Sequence, residues 1–188
     1  MTVPPSAPPA AVPEHGGAAP VSLTELPVGE LRPDELRRAL GRFVTGVTIV
    51  TCRDAEGRPV GLTANSFNAL SLDPPLVLWS LRRASGSIEA FSTASHFAVN
   101  VLSQEQIELS RRFARPSQAR FDEGVWRDGQ GGAPVLAGCV AVFECRRHSH
   151  HEAGDHLLFI GEVERIGGSA EAPLVYHAGH YRGIGDRL

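Results

Sequence analysis

The sequence contains no lysine, so all 18 of its basic residues are arginine. That excludes chemistry built on a lysine Schiff base and the lysine of a phosphate-binding P-loop. Cysteine is scarce. Cys52, Cys139 and Cys145 stand at spacings that match neither a zinc ribbon nor a Cys-x-x-Cys redox pair. Each lies in an apolar, strand-like stretch, where a free cysteine behaves as a small core residue. No apolar run is long enough to span a bilayer. The N-terminus lacks the basic and apolar regions of a secretory signal, its first basic residue being Arg32. A soluble, cytoplasmic protein is expected, and a net charge of -3 gives no footprint for a nucleic-acid partner. Catalytic signatures are missing too. There is no Gly-x-Ser-x-Gly elbow. Gly129-Gln130-Gly131-Gly132-Ala133-Pro134 carries proline where the third glycine of a dinucleotide fingerprint belongs, with no βαβ unit around it.

What is present divides into two parts. Residues 1–30 are rich in proline, alanine and glycine and poor in large apolar side chains, a composition that predicts a disordered tail. Residues 31–188 are long enough for one domain with a proper core. Order is expected from about Leu31, with a helix in which proline and acids precede basic residues. Its apolar stripe is Leu36, Leu40 and Phe43. Strands follow at Val47–Cys52, Val60–Thr63, Phe67–Leu72 and Leu76–Leu81, with Asp54-Ala55-Glu56-Gly57 as a hairpin turn and Asp73-Pro74-Pro75 as a break. A short helix at about Ile88–Thr93 leads into a strand at His96–Leu102. Ser103 then caps a helix at about Gln104–Phe113. Residues 114–135 read as a long connection containing glycine and arginine, a length often tied to function. Strands at Cys139–Cys145 and His156–Arg165 close the domain. Many short strands with few helices predict a mainly β fold, a small closed barrel.

Three places could carry chemistry. Ser85-Gly86-Ser87 precedes the short helix, with Arg82 and Arg83 just upstream. Hydroxyls, guanidinium groups and unpaired helical N–H groups suit a phosphate; the plain alternative is a helix cap beside two solvated arginines. In Gly61-Leu62-Thr63-Ala64-Asn65-Ser66-Phe67, small and polar residues interrupt two apolar strands. That lets a flat ligand approach the backbone, although a polar edge or bulge has the same pattern. His148, His150, His151 and His156, with Glu152 and Asp155, could hold a metal. Their turn-like surroundings favour a solvated hairpin loop instead, and no metal is expected.

Taken in series, these stretches resemble one family. Phe43-Val44-Thr45-Gly46-Val47-Thr48-Ile49-Val50-Thr51, Gly61 to Phe67, Ser71-Leu72-Asp73-Pro74-Pro75-Leu76-Val77, Phe97-Ala98-Val99-Asn100-Val101-Leu102, Phe113-Ala114 and Gly154-Asp155-His156 through Gly161-Glu162-Val163 occur in the order of the flavin reductase-like family. The resemblance covers about residues 34–184. It implies an FMN-binding split β-barrel of Greek-key type with a few peripheral helices, and a homodimer with flavin sites near its interface. It further implies that Thr63, Ala64, Asn65 and Ser66 line the flavin ring and ribityl chain. Ser80, Leu81, Arg82, Arg83, Ser85 and Ser87 would hold the phosphate. His156 would lie where the nicotinamide docks and serve as the catalytic residue on either subunit's flavin, with Tyr181 in the same region. Relatives often carry Lys or Asn near the phosphate, where this chain has two arginines. Two guanidinium groups suit a pyrophosphate, which makes FAD as reasonable as FMN.

The resemblance thus implies an NAD(P)H:flavin oxidoreductase, with NADH or NADPH as co-substrate and reduced flavin passed to a separate oxygenase. The alternative is a split-barrel protein that keeps its flavin tightly bound, as an electron carrier, sensor or oxidase.

Overall fold

The computed structural model describes residues 29, 32–115, 119–121 and 126–186. The expected disordered tail lies, apart from Gly29, outside the described residues. The first helix, α1, spans Pro33–Leu40, with Asp34 and Glu35 in its first turn and Arg37 and Arg38 in its last, the polarity the helix dipole favours. Its apolar stripe does not face the core of this chain. Nothing on α1 is buried, and Leu40 and Phe43 are 64% and 75% exposed.

Two short strands, β1 (Thr45–Gly46) and β2 (Thr48–Arg53), come next. A hairpin turn with Gly57 at φ +76° leads into β3 (Pro59–Ala64). That positive φ is why glycine closes the turn. β4 (Asn68–Leu72) and β5 (Pro75–Arg82) form the next hairpin, followed by α2 (Ile88–Thr93) and β6 (His96–Val101). A 3-10 turn at Gln104–Gln106 opens α3 (Ile107–Ala114), and the Ser103 N–H donates to Gln106 Oε1 at 3.0 Å. The stretch read as one long connection carries structure of its own: β7 (Trp126–Asp128) pairs with β8 (Pro134–Leu136). Two 13-residue strands, β9 (Ala141–Ala153) and β10 (His156–Gly168), then form a long hairpin, and β11 (Val175–His177) and β12 (His180–Arg182) finish the chain. The histidine segment is therefore strand rather than loop. Its backbone pairs with β10 up to Ala153↔His156, leaving Gly154-Asp155 as the turn.

Seven strands make one antiparallel sheet in the order β3-β2-β6-β9-β10-β5-β4. β2 is buried from Thr48 to Cys52 because both of its faces are covered. Ile49 joins a cluster with Ala98, Leu102, Phe113 and Val142, while Val50 joins one with Trp79, Val99, Cys145 and Phe159.

The small closed barrel expected from strand patterning is split by a seam, the split β-barrel that the family resemblance implies. Among the described residues no backbone ladder joins edge strand β3 to the opposite side of the sheet. Ser66 bridges the gap instead. Its hydroxyl donates to the Ser80 carbonyl and accepts from the Ser80 N–H, each at 3.0 Å. Since Ser66 follows one edge strand and Ser80 lies on β5 next to the other edge, the sheet must curl upon itself.

A buried carboxylate ties β7 and β8 to the sheet. Glu144, on β9 and 2% exposed, accepts from Arg127 Nη2 and from the Gln130 N–H, both at 2.7 Å. Burial pushes its pKa up, but these hydrogen bonds and the charges of Arg127 and Arg165 outweigh that and hold it below the ordinary value of 4.5. A depressed folded pKa contributes stability above the unfolded value, which is lost as pH falls through the folded one. Glu144→Gln is expected to cost about 1–3 kcal/mol at neutral pH and to flatten the acid limb of the stability curve. Thermal melts of both proteins from neutral pH downward check this; parallel curves would contradict it.

Candidate active-site cleft

The seam opens into a cleft of about 1070 Å³. One wall is the end of β3 and the chain after it: Leu62, Thr63, Ala64, Asn65 and Ser66. The facing wall is the end of β5, with Ser80, Leu81 and Arg82, continued by Ala84, Ser85, Gly86 and Ser87 ahead of α2. Phe113, Ala114, Arg120 and His156 complete it. The strands supply alternating side chains, and the missing ladder leaves room between them.

Most of the expected site residues thus share one cavity. Arg83 and Tyr181 do not line it. The Arg83 side chain turns to Glu152, at 3.2 Å, and its N–H donates to the Asp155 carbonyl at 2.9 Å. The Tyr181 hydroxyl is 2.8 Å from Ser110 Oγ, and its ring packs against Tyr176. Tyr181 therefore stands behind α3, and Ser110 in turn touches the wall, its carbonyl accepting from Thr63 Oγ1 at 2.7 Å.

Two residues of the lining are oriented by charge. His156 pairs across the ladder with Arg82. Its Nδ1 lies 2.7 Å from Asp155 Oδ1, and Asp155 Oδ2 lies 3.8 Å from Arg82 Nε. The His156 hydrogen bond, aided by the Arg82 charge, holds the Asp155 carboxyl below its ordinary value. An ionised carboxylate only accepts, so Nδ1 carries the proton and Nε2 is left for a ligand.

Sequence patterning missed Arg120, which sits in a 3-10 turn at Ala119–Phe121. Its Nη1 donates to the Gly61 carbonyl at 2.7 Å. Gly61 gave half of the signal. A Cβ there would come within 2.8 Å of the Phe113 ring and 3.1 Å of the Phe121 ring, so glycine lets the connection close over β3.

Other chemistry is poorly served. Burial pushes the Cys52 and Cys145 thiols up to about 12 and Cys139 up to about 11, which leaves no reactive thiolate near neutral pH. Among the described residues no cluster of three or more His, Cys, Asp or Glu could hold a metal. No helix among them is long and apolar enough to cross a membrane.

Residues 40–185 match the family model described as flavin reductase like domain. The chain is 50% identical over 145 residues to the FMN reductase (NADH) SmoA of Agrobacterium fabrum, covering 77% of this chain and 82% of that protein. It is 46% identical over 148 residues to the reductase component of the flavin-dependent trigonelline monooxygenase of Acinetobacter baylyi. That match covers 78% of this chain but 47% of the relative, so the chain spans about half of that protein's length. Among solved structures, the Streptomyces globisporus NADH:FAD oxidoreductase SgcE6, in complex with NAD and FAD fragments, superposes with a TM-score of 0.77 at 39% identity. The match covers 81% of this chain and 92% of that one.

Proposed function

The chain belongs to the flavin reductase-like family, and from that premise we propose that it is an NAD(P)H:flavin oxidoreductase. In this reading it reduces FMN or FAD and passes the reduced flavin to a separate oxygenase. The observation that carries it is the seam cleft, which joins a flat, polar strand end to hydroxyls and a guanidinium at Arg82, Ser85 and Ser87.

The cleft fits a flavin on its own terms. Its volume reaches the upper end of the roughly 300–1,000 Å³ common for small-molecule sites. Leu62, Ala64 and Phe113 offer apolar surface for a ring, while Asn65, Ser85 and Ser87 offer polar groups for the tail. With Arg83 held by Glu152, one guanidinium rather than two faces the phosphate end. That end of the cleft therefore does not distinguish FAD from FMN.

A reduced nicotinamide supplies the hydride, and the flavin accepts it; the bond-making chemistry belongs to the two cofactors. What the chain contributes is placement. The β3 wall sets the flavin plane, and His156 Nε2 is available to hold the nicotinamide against it. No strong general base is required, and no carboxylate is among the described residues that line the cleft.

We further read the protein as a cytoplasmic homodimer. The support is apolar surface that a monomer leaves in water: Leu36, Leu40, Phe43 and Val44 on and after α1, and Leu70 and Leu72 on edge strand β4. Light scattering at micromolar concentration tests the dimer; a monomeric mass would overturn it.

Two measurements test the site and the activity. Replacing Ser85 and Ser87 together by alanine is expected to weaken flavin binding about 5–30-fold, the loss of one or two hydrogen bonds to an anion; an unchanged dissociation constant would remove the phosphate assignment. NADH oxidation followed with and without added FMN or FAD tests the reaction. Turnover that saturates with free flavin supports the reductase. A yellow protein that keeps its flavin through dialysis and does not turn over would favour the bound-flavin alternative.

A further inference from the structure

Arg120 is a cation of the cleft wall whose charge no described carboxylate offsets. Among the described residues its guanidinium is held by carbonyls: Nε and Nη2 donate to Arg115 O at 2.9 and 2.5 Å, and Nη1 to Gly61 O at 2.7 Å. These use three of the five N–H donors of an arginine and leave two. Burial pulls its pKa below the ordinary value, with no opposing influence from an acid. Arg82, at the other side of the cleft, has Asp155 at 3.8 Å, and Arg58, on the surface, has Asp54 at 2.8 Å. A partly desolvated guanidinium with spare donors is costly unless an anion meets it. The Gly61 carbonyl that holds Arg120 lies beneath the Phe113–Phe121 aromatic pair, whose centroids are 5.0 Å apart.

Two negative charges belong to the proposed reaction. One is the flavin phosphate, for which Arg82, Ser85 and Ser87 form the polar end of the cleft. The other arises during turnover. The C4–H bond of the reduced nicotinamide breaks, an N5–H bond forms on the flavin, and two electrons move with the hydride. The nicotinamide leaves as a cation, and the flavin ring system gains the negative charge. Arg120 is bonded to the Gly61 carbonyl, next to Leu62, and precedes Phe121, which packs on Phe113; Leu62 and Phe113 give the cleft apolar lining there, which suits a ring rather than a phosphate.

We infer that Arg120 holds the negative charge of the reduced flavin ring, so that the cleft binds the reduced form more tightly than the oxidised one. The inference rests on the flavin-reductase reading and adds to it a residue that sets the preference between redox forms. A fixed guanidinium bonds more strongly to an anionic oxygen or nitrogen than to the same atom in a neutral ring. The cleft can then drive reduction and keep the product until it is handed on.

The test is anaerobic titration of the full chain and its Arg120→Gln and Arg120→Lys variants with oxidised and dithionite-reduced FMN, and with riboflavin, which has no phosphate. Arg120→Gln is expected to weaken the reduced form about tenfold or more and the oxidised form less than about threefold. FMN and riboflavin should lose equally, and Arg120→Lys should recover part of the loss. Equal weakening of both redox forms would overturn the inference. So would a loss seen with FMN and not with riboflavin, which would put the phosphate on Arg120. Melting curves show whether either variant is folded; if Arg120→Gln fails to fold, Arg120→Met replaces it as the variant without the charge, and unaltered selectivity between redox forms there would also overturn the inference. Wild-type protein that binds neither flavin would overturn the reductase reading itself, and this inference with it.

Discussion

Replacing Trp79 with alanine is expected to destabilise the protein by about 3–5 kcal/mol, lowering the melting temperature by about 10 °C. Trp79 is fully buried on β5. Its ring stacks on Phe159 at 4.9 Å and meets Phe91 edge-on at 4.8 Å and Phe97 at 6.0 Å. These partners come from β10, α2 and β6, so one side chain ties together strands on both sides of the sheet and the helix that follows the cleft. Alanine would leave a cavity bounded by three aromatic rings, which close packing prevents from collapsing. Trp79→Phe should cost much less. It keeps most of the ring and removes the indole Nε1–H, a buried donor with no partner among the described residues. Denaturant melts of both variants check this, and an alanine variant within about 1 kcal/mol of wild type would show that the cluster does not act as a unit.

The cleft depends on the same packing, because Leu81 and Phe91 belong to the Trp79 cluster while Ser80 and Ser87 line the cleft. This proximity explains how much could be read from the sequence. The α2 helix was legible at Ile88–Thr93 because a Ser-Gly-Ser break precedes it and a new apolar run follows. The β2–β3 hairpin was legible because Asp54 to Gly57 interrupts two β-branched runs. Local chemistry decided those elements. Tertiary pairing decided the ones misread. His148 to His151 looked like a loop because every residue is polar, yet β10 pairs with Ser149, His150 and His151, with a bulge at His148 and His150 facing Phe159. A solvated strand needs only its backbone paired, and polarity alone does not reveal that. β7 and β8 are three residues each, too short to show a period. Arg120 escaped for a related reason: a loop side chain reaches a site through the path of the backbone, which no periodicity records. The exposed stripe of α1 is amphipathic in sequence whether its apolar face meets this chain or another.

Replacing His156 with alanine is expected to slow flavin reduction by about 10–100-fold while leaving the flavin dissociation constant within about threefold of wild type. The imidazole is 36% exposed at the cleft edge and hinged on the Gly154-Asp155 turn. It is well placed to touch a second ligand arriving over the first. Asp155 fixes its Nδ1, and Arg82 sits beside Asp155. An anion arriving at Arg82 would compete with Asp155 for the guanidinium and leave the carboxylate to the imidazole alone. Flavin binding would then sharpen the orientation of His156 before the nicotinamide docks. This coupling separates two variants. His156→Ala should lower the rate of anaerobic reduction by NADH in stopped flow whatever the flavin. Asp155→Asn keeps the ring but loses the charge that holds its tautomer, so it should raise the KM for NADH more than it lowers kcat. An unaltered reduction rate in His156→Ala would remove the histidine from the reaction. The same fall in rate with a matching loss of flavin affinity would make it a flavin ligand instead.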